Sequence, residues 1–335
     1  MYKGKKILIT GGTGSLGQAL TKRLLKEDVD TIRIYSRNEN KQVMMESQFQ
    51  DSRLRFLIGD IRDLPRLKRA LEDVDIVFHT AALKHVPLIE YNPFEAVKTN
   101  VLGTQNIIEA CIDENVEIAV GVGTDKAVSP LNAYGATKLL MEKLFVTASN
   151  FLSKDKHKTK FVALRYGNVL GSSGSVIPKF LNQISTEQKI TITDENMTRF
   201  NITMDEALDF ILKAASSTHG GEIFVPKLKA YTLKDVKKVL FDQFCKIKEE
   251  KIPIRPGEKM HEVLINKDEM KFVLETDTMY VILNPNMDKE KIKEFYFNYN
   301  QVNHMTEYSS DKVKKIPQDE FKRILLNNNL IKKSE

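Results

Sequence analysis

The chain has 335 residues, 41% apolar and 29% charged, with a formal net charge of +6 at pH 7, an ordinary balance for a globular fold long enough to build two lobes. Its 51 Lys and Arg are spread along the chain rather than massed on one segment before the Lys-rich last third, which argues against a nucleic-acid partner. Cys111 and Cys245 show neither pairing nor metal-ligand spacing, the start Met1-Tyr2-Lys3-Gly4 carries no apolar signal segment, and no run is long enough to span a bilayer; the expectation is a reduced, cytoplasmic protein without metal or membrane partner.

In chain order, short apolar runs predict strands at 6–10, 31–35, 54–58, 75–79, 117–122 and 161–165. Amphipathic segments predict helices at 16–26, 40–49, 64–71, 94–115 and 133–152 between them. Such alternation predicts an α/β fold with a doubly wound parallel sheet of Rossmann type, in which ligands bind at the carboxyl ends of the strands. Beyond residue 171 the rhythm changes: helices at 177–186, 204–217 and 233–244 accompany strands at 189–193 and 222–226. This divides the chain into a nucleotide-binding domain at 1–170 and a smaller substrate lobe at 171–335, some of whose segments can return to the first sheet. The tail beyond Asn284 is rich in Lys, Asn and Glu and offers little chemistry.

The first strand runs into Gly11-Gly12-Thr13-Gly14-Ser15-Leu16-Gly17, which opens the first helix. Glycines at such a junction allow a tight turn and a close backbone approach to a pyrophosphate, and the helix N-terminus favours negative charge. The second strand ends in Ser36-Arg37-Asn38, where an acid would suit the ribose hydroxyls of NAD. Arg37, with Lys41 one turn later, instead suits the 2′-phosphate of NADP(H), although a solvated Arg would look the same in sequence. Asp60-Ile61 ends the third strand, where a carboxylate can accept from an adenine amino group, and Ala81-Ala82 follows the fourth, where small residues admit a cofactor.

The chemistry concentrates at Thr124-Asp125-Lys126 and at Tyr134 and Lys138, which sit at i, i+4 on one helix face. A phenol titrates near pH 10, so a general base built on Tyr134 needs a neighbouring cation, which Lys138 is placed to supply. Asp125-Lys126 in isolation would be a loop ion pair; at a strand end, before Tyr-x-x-x-Lys, it becomes an acid/base pair.

Together these segments resemble the extended short-chain dehydrogenase/reductase superfamily acting on nucleotide sugars. The resemblance covers residues 5 to about 310. Ala81-Ala82-Leu83-Lys84-His85-Val86-Pro87, Lys98-Thr99-Asn100, Thr124-Asp125-Lys126-Ala127, Tyr134-Gly135-Ala136-Thr137-Lys138, Arg165-Tyr166-Gly167-Asn168-Val169, Met197-Thr198-Arg199-Phe200 and Arg255-Pro256-Gly257-Glu258-Lys259 look like the inverting UDP-N-acetylglucosamine 4,6-dehydratases of pseudaminic acid biosynthesis. The resemblance implies NADP tightly bound and regenerated each cycle, held by residues 11–17, Ser36, Arg37, Asn38, Lys41, Asp60, Ile61, Ala81, Ala82, Thr124, Tyr134, Lys138 and Val169. It implies that Tyr134 takes the C4 hydroxyl proton as hydride leaves C4, that a neutral Lys126 takes the C5 proton, and that Asp125 protonates the departing C6 hydroxyl. Hydride then returns to C6, and reprotonation on the opposite face inverts C5, giving UDP-2-acetamido-2,6-dideoxy-β-L-arabino-hex-4-ulose from UDP-GlcNAc. Substrate contacts fall on Lys84, Asn168, Ser173, Arg199, Arg255 and Glu258, with Arg suited to phosphate and Glu to ribose hydroxyls; His85 is as well read as a packed His.

The sequence departs from that branch at Ser173, where Arg is frequent, at Asn201, where Trp is frequent, and at Gly123, where Ser is usual. A UDP-sugar 4-epimerase would use Tyr134 and Lys138 without needing Asp125 or Lys126, and a retaining 4,6-dehydratase would share the triplet. A non-catalytic NADP-sensing regulator would have no need to keep Tyr-x-x-x-Lys. The superfamily commonly dimerises through helices corresponding to 94–115 and 133–152, so a homo-oligomer is expected.

Overall fold

Short runs of branched and aromatic residues, buried on both faces, are what a parallel sheet between two helical layers demands. The computed structural model describes residues 1–152, 157–172, 174–244, 247–255 and 257–332. In the first half, β1 (Lys6–Thr10), α1 (Ser15–Leu24), β2 (Thr31–Ser36), α2 (Glu39–Phe49), β3 (Leu54–Ile58), α3 (Leu64–Leu71) and β4 (Ile76–His79) alternate. Then come α4 (Val86–Tyr91), α5 (Pro93–Ala96), a π turn over Val97–Leu102, α6 (Gly103–Asp113), β5 (Ile118–Val122), a 3₁₀ turn over Asp125–Ala127, α7 (Ala133–Ala148) and β6 (Lys160–Leu164). The predicted long helix at 94–115 is thus broken by the π turn, and the short α4 was not foreseen.

Strands β3-β2-β1-β4-β5-β6 pair in parallel in that spatial order, so the direction of winding reverses between β1 and β4. This is the Rossmann-type arrangement, and its reversal opens a crevice at the strand ends. Alternation along β1 sends Ile7 and Ile9 to one apolar cluster, with Leu20, Leu24, Phe78 and Ile211, and Leu8 to the other, with Leu67, Met141, Phe145 and Phe161.

The second half contains α8 (Val176–Glu187), β7 (Lys189–Ile192), β8 (Thr198–Phe200), α9 (Met204–Ser217), β9 (Glu222–Pro226), β10 (Ala230–Thr232), α10 (Leu233–Gln243), β11 (Lys248–Lys251) and β12 (Val263–Ile265). It continues through β13 (Val273–Glu275), β14 (Met279–Ile282), α11 (Lys289–Phe295), β15 (Asn300–Gln301), β16 (Tyr308–Ser309) and α12 (Gln318–Asn327). β9 joins the large sheet parallel to β6, and β14, β13 and β15 extend it in antiparallel fashion, giving ten strands among the described residues. The pairs β8/β10, β7/β11 and β12/β16 form small separate ribbons. A third apolar cluster, with Ile177, Phe180, Ile190, Tyr231, Val236, Phe321 and Leu325, lies under α8, α10 and α12. The tail therefore contributes to packing: the Tyr308 ring centroid lies 5.1 Å from that of Phe200.

The strand ends that face the crevice are pinned by His79. Its Nδ1 lies 2.9 Å from Thr10 Oγ1 and its Nε2 3.2 Å from Thr104 Oγ1, while its ring stacks 6.0 Å from Phe145. Burial pushes the imidazole down to about 3, with the Lys138 charge acting in the same direction. The unfolded chain therefore binds a proton below pH 6.5 that the folded chain refuses until about pH 3. Stability from this residue is full above pH 6.5 and is lost at about 1.4 kcal/mol per pH unit as acid is added through that window. Denaturant unfolding from pH 7.5 to 4.5 should show this slope in the wild type and a shallower one in His79→Asn; equal slopes would mean that His79 is protonated in the fold.

Candidate active site

A cavity of about 1110 Å³ runs along the carboxyl ends of the strands. At one end lie residues of the glycine loop. Gly11 has φ +65°, and a Cβ there would stand 2.9 Å from the backbone of Ala81, so glycine alone lets the loop turn this close to the β4 end. Thr13, Gly14, Ser15, Leu16 and Gly17 line the cavity. Gly12 does not: a Cβ on it would stand 2.8 Å from Ile34 Cγ2, so this glycine serves the packing of loop against sheet rather than the cavity wall. Helix α1 starts without a side-chain cap, which leaves its first amides available to an anion.

Ser36, Arg37, Asn38 and Lys41 line the same end. Asn38 Oδ1 accepts from the Lys41 amide at 2.9 Å and so starts α2, while Arg37 is 55% exposed and its Nη1 stands 3.7 Å from Asp60 Oδ2. Asp60 also lines the cavity, but its Oδ2 accepts from Arg62 Nε at 2.9 Å and Nη2 at 2.7 Å. Ile61, Ala81, Ala82, Thr124 and Val169 complete the cofactor-side residues expected from sequence that reach this wall.

At the other end, α7 docks against the 3₁₀ turn. Asn132 caps the helix by accepting from the Gly135 amide at 2.8 Å, and a Cβ on Gly135 would meet the Lys126 carbonyl at 2.2 Å. Only glycine permits this approach; Tyr134 and Lys138 line the cavity, while Asp125 and Lys126, in the turn against which α7 packs, lie off its wall. Thr124 donates from Oγ1 to Asp125 Oδ1 at 2.8 Å, and Lys126 Nζ donates to the same oxygen at 3.1 Å. Lys126 Nζ also reaches Asn168 Oδ1 at 3.3 Å and lies 3.7 Å from Glu262 Oε1.

Two expectations about charge are corrected. Lys138 donates to the Val122 carbonyl at 2.6 Å, and burial pulls its ammonium down to about 8 against the pull of Glu142. The cation that acts on Tyr134 is Lys126: burial raises the phenol above its ordinary value, and Lys126 and a hydrogen bond with Thr124 oppose that rise. Lys126 is not held neutral by its surroundings either. Burial alone would lower it, but Asp125, Glu262 and Tyr134 outweigh burial and hold the ammonium above its usual range.

Below this group Arg165, fully buried, sits between two carboxylates. Its Nη2 donates to Glu142 Oε2 at 2.7 Å and to Glu269 Oε1 at 3.0 Å, and its Nη1 to Glu269 Oε2 and the Leu264 carbonyl, both at 2.9 Å. Glu142 is one turn beyond Lys138 on α7, and a Cβ on Gly123 would stand 2.5 Å from its Oε1, which fits glycine in place of the usual Ser. Removing one member of such a buried cluster strands the opposite charge. Arg165→Met should therefore destabilise the fold by about 3–5 kcal/mol in denaturant unfolding; a loss below 1 kcal/mol would show that Glu142 is protonated rather than paired.

On the substrate side, Lys84, His85 and Asn168 line the cavity and are exposed. Arg199, Arg255 and Glu258 lie off its wall and form a group of their own: Arg199 Nη2 is 3.8 Å from Glu258 Oε1, and the Arg255 amide donates to Glu258 Oε2 at 3.4 Å. Ser173 lies outside the described residues. Sequence reasoning gave no role to Asn100, which donates to the Leu83 carbonyl at 3.0 Å and to Thr137 Oγ1 at 3.1 Å while accepting from the Leu83 amide at 2.8 Å. It lies in the π turn and ties the β4 end to α7. It also missed Lys179, whose ammonium is lowered by burial and then by Arg255, and Glu142 and Glu262. The i, i+4 spacing from Lys138 to Glu142 was the one available signal.

Residues 7–284 match the family described as polysaccharide biosynthesis protein. The chain is 45% identical over 284 residues to the UDP-N-acetylglucosamine 4,6-dehydratase (inverting) of Campylobacter jejuni serotype O:23/36, covering 84% of each chain. It is 40% identical over 332 residues to a Rickettsia bellii protein named UDP-glucose 4-epimerase, covering 98% of this chain and 97% of that one. The X-ray structure of Pen from Bacillus thuringiensis aligns with a TM-score of 0.90 at 40% identity, over 99% of this chain and 100% of that chain. The chain belongs to the polysaccharide biosynthesis protein family and is an enzyme of the short-chain dehydrogenase/reductase type.

Proposed function

We propose that this chain is an NADP-dependent, inverting UDP-GlcNAc 4,6-dehydratase. The observation that carries the reading is the contact of Asp125 with Lys126 at 3.1 Å beside Tyr134, which gives one site two proton-transfer groups more than a C4 epimerisation uses. The residues present fit a dinucleotide: the uncapped start of α1 and Gly11 suit the pyrophosphate, and Arg37 and Lys41 suit a 2′-phosphate. Tyr134 and Lys138 would face the nicotinamide, which when bound would take hydride from C4 and return it to C6. Tyr134 takes the proton of the C4 hydroxyl. A C4 ketone acidifies C5, and Lys126 takes that proton while Asp125 gives one to the departing C6 hydroxyl. Reprotonation from the opposite face inverts C5, and the product is UDP-2-acetamido-2,6-dideoxy-β-L-arabino-hex-4-ulose, the entry to a pseudaminic-acid-like surface-glycan sugar.

The similarity to the Rickettsia bellii UDP-glucose 4-epimerase favours epimerisation as the second reading, and solvent exchange separates the two. With UDP-GlcNAc in D₂O, the enzyme should give a 4-keto product carrying deuterium at C5 by NMR. Lys126→Ala should lower that rate by roughly 10²- to 10⁴-fold with cofactor binding unchanged. A C4 epimer free of deuterium would replace this reading with the epimerase.

The NADP preference rests on Arg37, whose guanidinium is exposed at the cavity with Asp60 as a loose partner. Charge-assisted contacts of this kind are worth about 1.5–3 kcal/mol, so Arg37→Ala should weaken NADP binding by roughly ten- to a hundred-fold and leave NAD almost unchanged. The difference should shrink at high salt in fluorescence titrations. Equal losses for both nucleotides would make Arg37 structural.

A homo-oligomer accords with the exposure of Phe94, Val97, Leu102 and Leu140, apolar residues in the segments expected to pair between subunits. Among the described residues no helix is long and apolar enough to cross a membrane.

A further inference from the structure

Lys126 cannot take a proton from C5 while it is an ammonium, and the site holds it as one. Asp125 is the nearer carboxylate, its Oδ1 accepting from Thr124 at 2.8 Å and from Lys126 at 3.1 Å, but as the acid for the C6 hydroxyl it must already carry a proton and so cannot also take the one that Lys126 sheds. Glu262 is differently placed. Its side chain is 5% exposed, Oε1 stands 3.7 Å from Lys126 Nζ and 3.8 Å from Arg199 Nε, and Oε2 is buried without a hydrogen-bond partner. The backbone beneath it is fixed: the Glu262 amide donates to Ser310 Oγ, and the Ser310 amide donates to the Glu262 carbonyl, both at 2.8 Å. A carboxylate with one oxygen stripped of partners takes up a proton more readily than a fully hydrogen-bonded one.

We propose that Glu262 is the proton acceptor that discharges Lys126. One proton passes from the Lys126 ammonium to the Glu262 carboxylate, leaving a neutral amine and a neutral carboxylic acid, and the amine then takes the C5 proton. The pair at that stage holds one proton more than at the start, balancing the one lost from C5, and is reset when C5 is protonated again. Because Glu262 acts through Lys126, it is a positioning residue for the charge of the base. The charged and titratable groups facing it are Asp125 and Lys126 from the 3₁₀ turn, Arg199 from β8, Lys259 from the approach to β12, and Tyr231 from β10. Burial and Asp125 favour the neutral acid, while Lys126, Arg199 and Lys259 favour the carboxylate, and the balance lies above the ordinary carboxylate range.

This inference rests on the dehydratase reading, and its test separates the two. Glu262→Gln and Glu262→Asp are compared with the wild type, each loaded with NADP, by stopped-flow absorbance of the reduced nicotinamide on mixing with UDP-GlcNAc and by the rate of C5 exchange with solvent from pH 6 to 9. Glu262→Gln should form reduced nicotinamide at the wild-type rate but lose about tenfold or more in C5 exchange at pH 7. Its exchange should climb with pH, because Lys126 must then give its proton to solvent, and Glu262→Asp should recover part of the rate. The proposal is overturned by exchange in Glu262→Gln within about twofold of wild type with the same pH profile. It is equally overturned by equal loss of both steps with no recovery in Glu262→Asp, which would mark a structural role. A wild-type enzyme that yields a C4 epimer without exchange overturns the dehydratase reading itself.

Discussion

The buried Arg165 guanidinium is the constraint from which the site hangs. It lies at the carboxyl end of β6, just before Tyr166, Gly167 and Asn168, and it grips Glu142 of α7 and Glu269 beyond β12. Three segments remote in sequence are thus held at one point: the helix carrying Tyr134 and Lys138, the strand end carrying Asn168, and the second-half segment that carries Glu262. A buried cluster of this kind adds little net stability, because desolvating three charges offsets most of their attraction. Its value lies in geometry, since this packing of the segments satisfies all three groups at once.

The same low-dielectric setting explains the charge pattern above it. Burial acts on every group in the site, but its sign is decided by neighbours. Lys138, facing a carbonyl and one distant carboxylate, is pulled down, whereas Lys126, faced by Asp125 and Glu262, is held up. Two lysines twelve residues apart, one on the cavity wall and one just off it, are therefore tuned in opposite directions by what surrounds them. Spacing along a helix predicted the partnership of Tyr134 and Lys138 but could not predict that the phenol's electrostatic neighbour would come from the preceding turn.

What the sequence made legible was local. Strands at 6–10 and 54–58 and the helix at 64–71 fall where periodicity placed them, because continuous apolar runs between amphipathic stretches have one way to bury themselves in such a sheet. Most candidates at the strand ends reach the cavity for the same reason. What was illegible is carried by contacts across the chain. Lys248–Lys251 is a fully exposed strand of Lys and Glu, defined only by its pairing with β7, and no hydrophobic pattern announces it. The π turn in the predicted long helix follows from Asn100 reaching back to Leu83, a tertiary demand that overrides helix periodicity. Glu262 stands in a run that resembles any other surface-charged segment until β12 and β16 pair and turn it inward.

That last point bears on how one fold hosts different sugar chemistries. Tyr134 and Lys138 belong to the Rossmann half, with strands and helices that any member of the fold must build. The groups that the proposed dehydration adds to C4 chemistry come from both halves: Asp125 and Lys126 from the β5 end, Glu262 and Arg199 from the ribbons of the second half. A change confined to those ribbons can alter the protonation of Lys126 without disturbing the sheet, the glycine loop or the placement of Tyr134. On the proposed reading, relatives that share this architecture can differ in reaction through the charge balance of a few buried groups, because a fold does not by itself set a function.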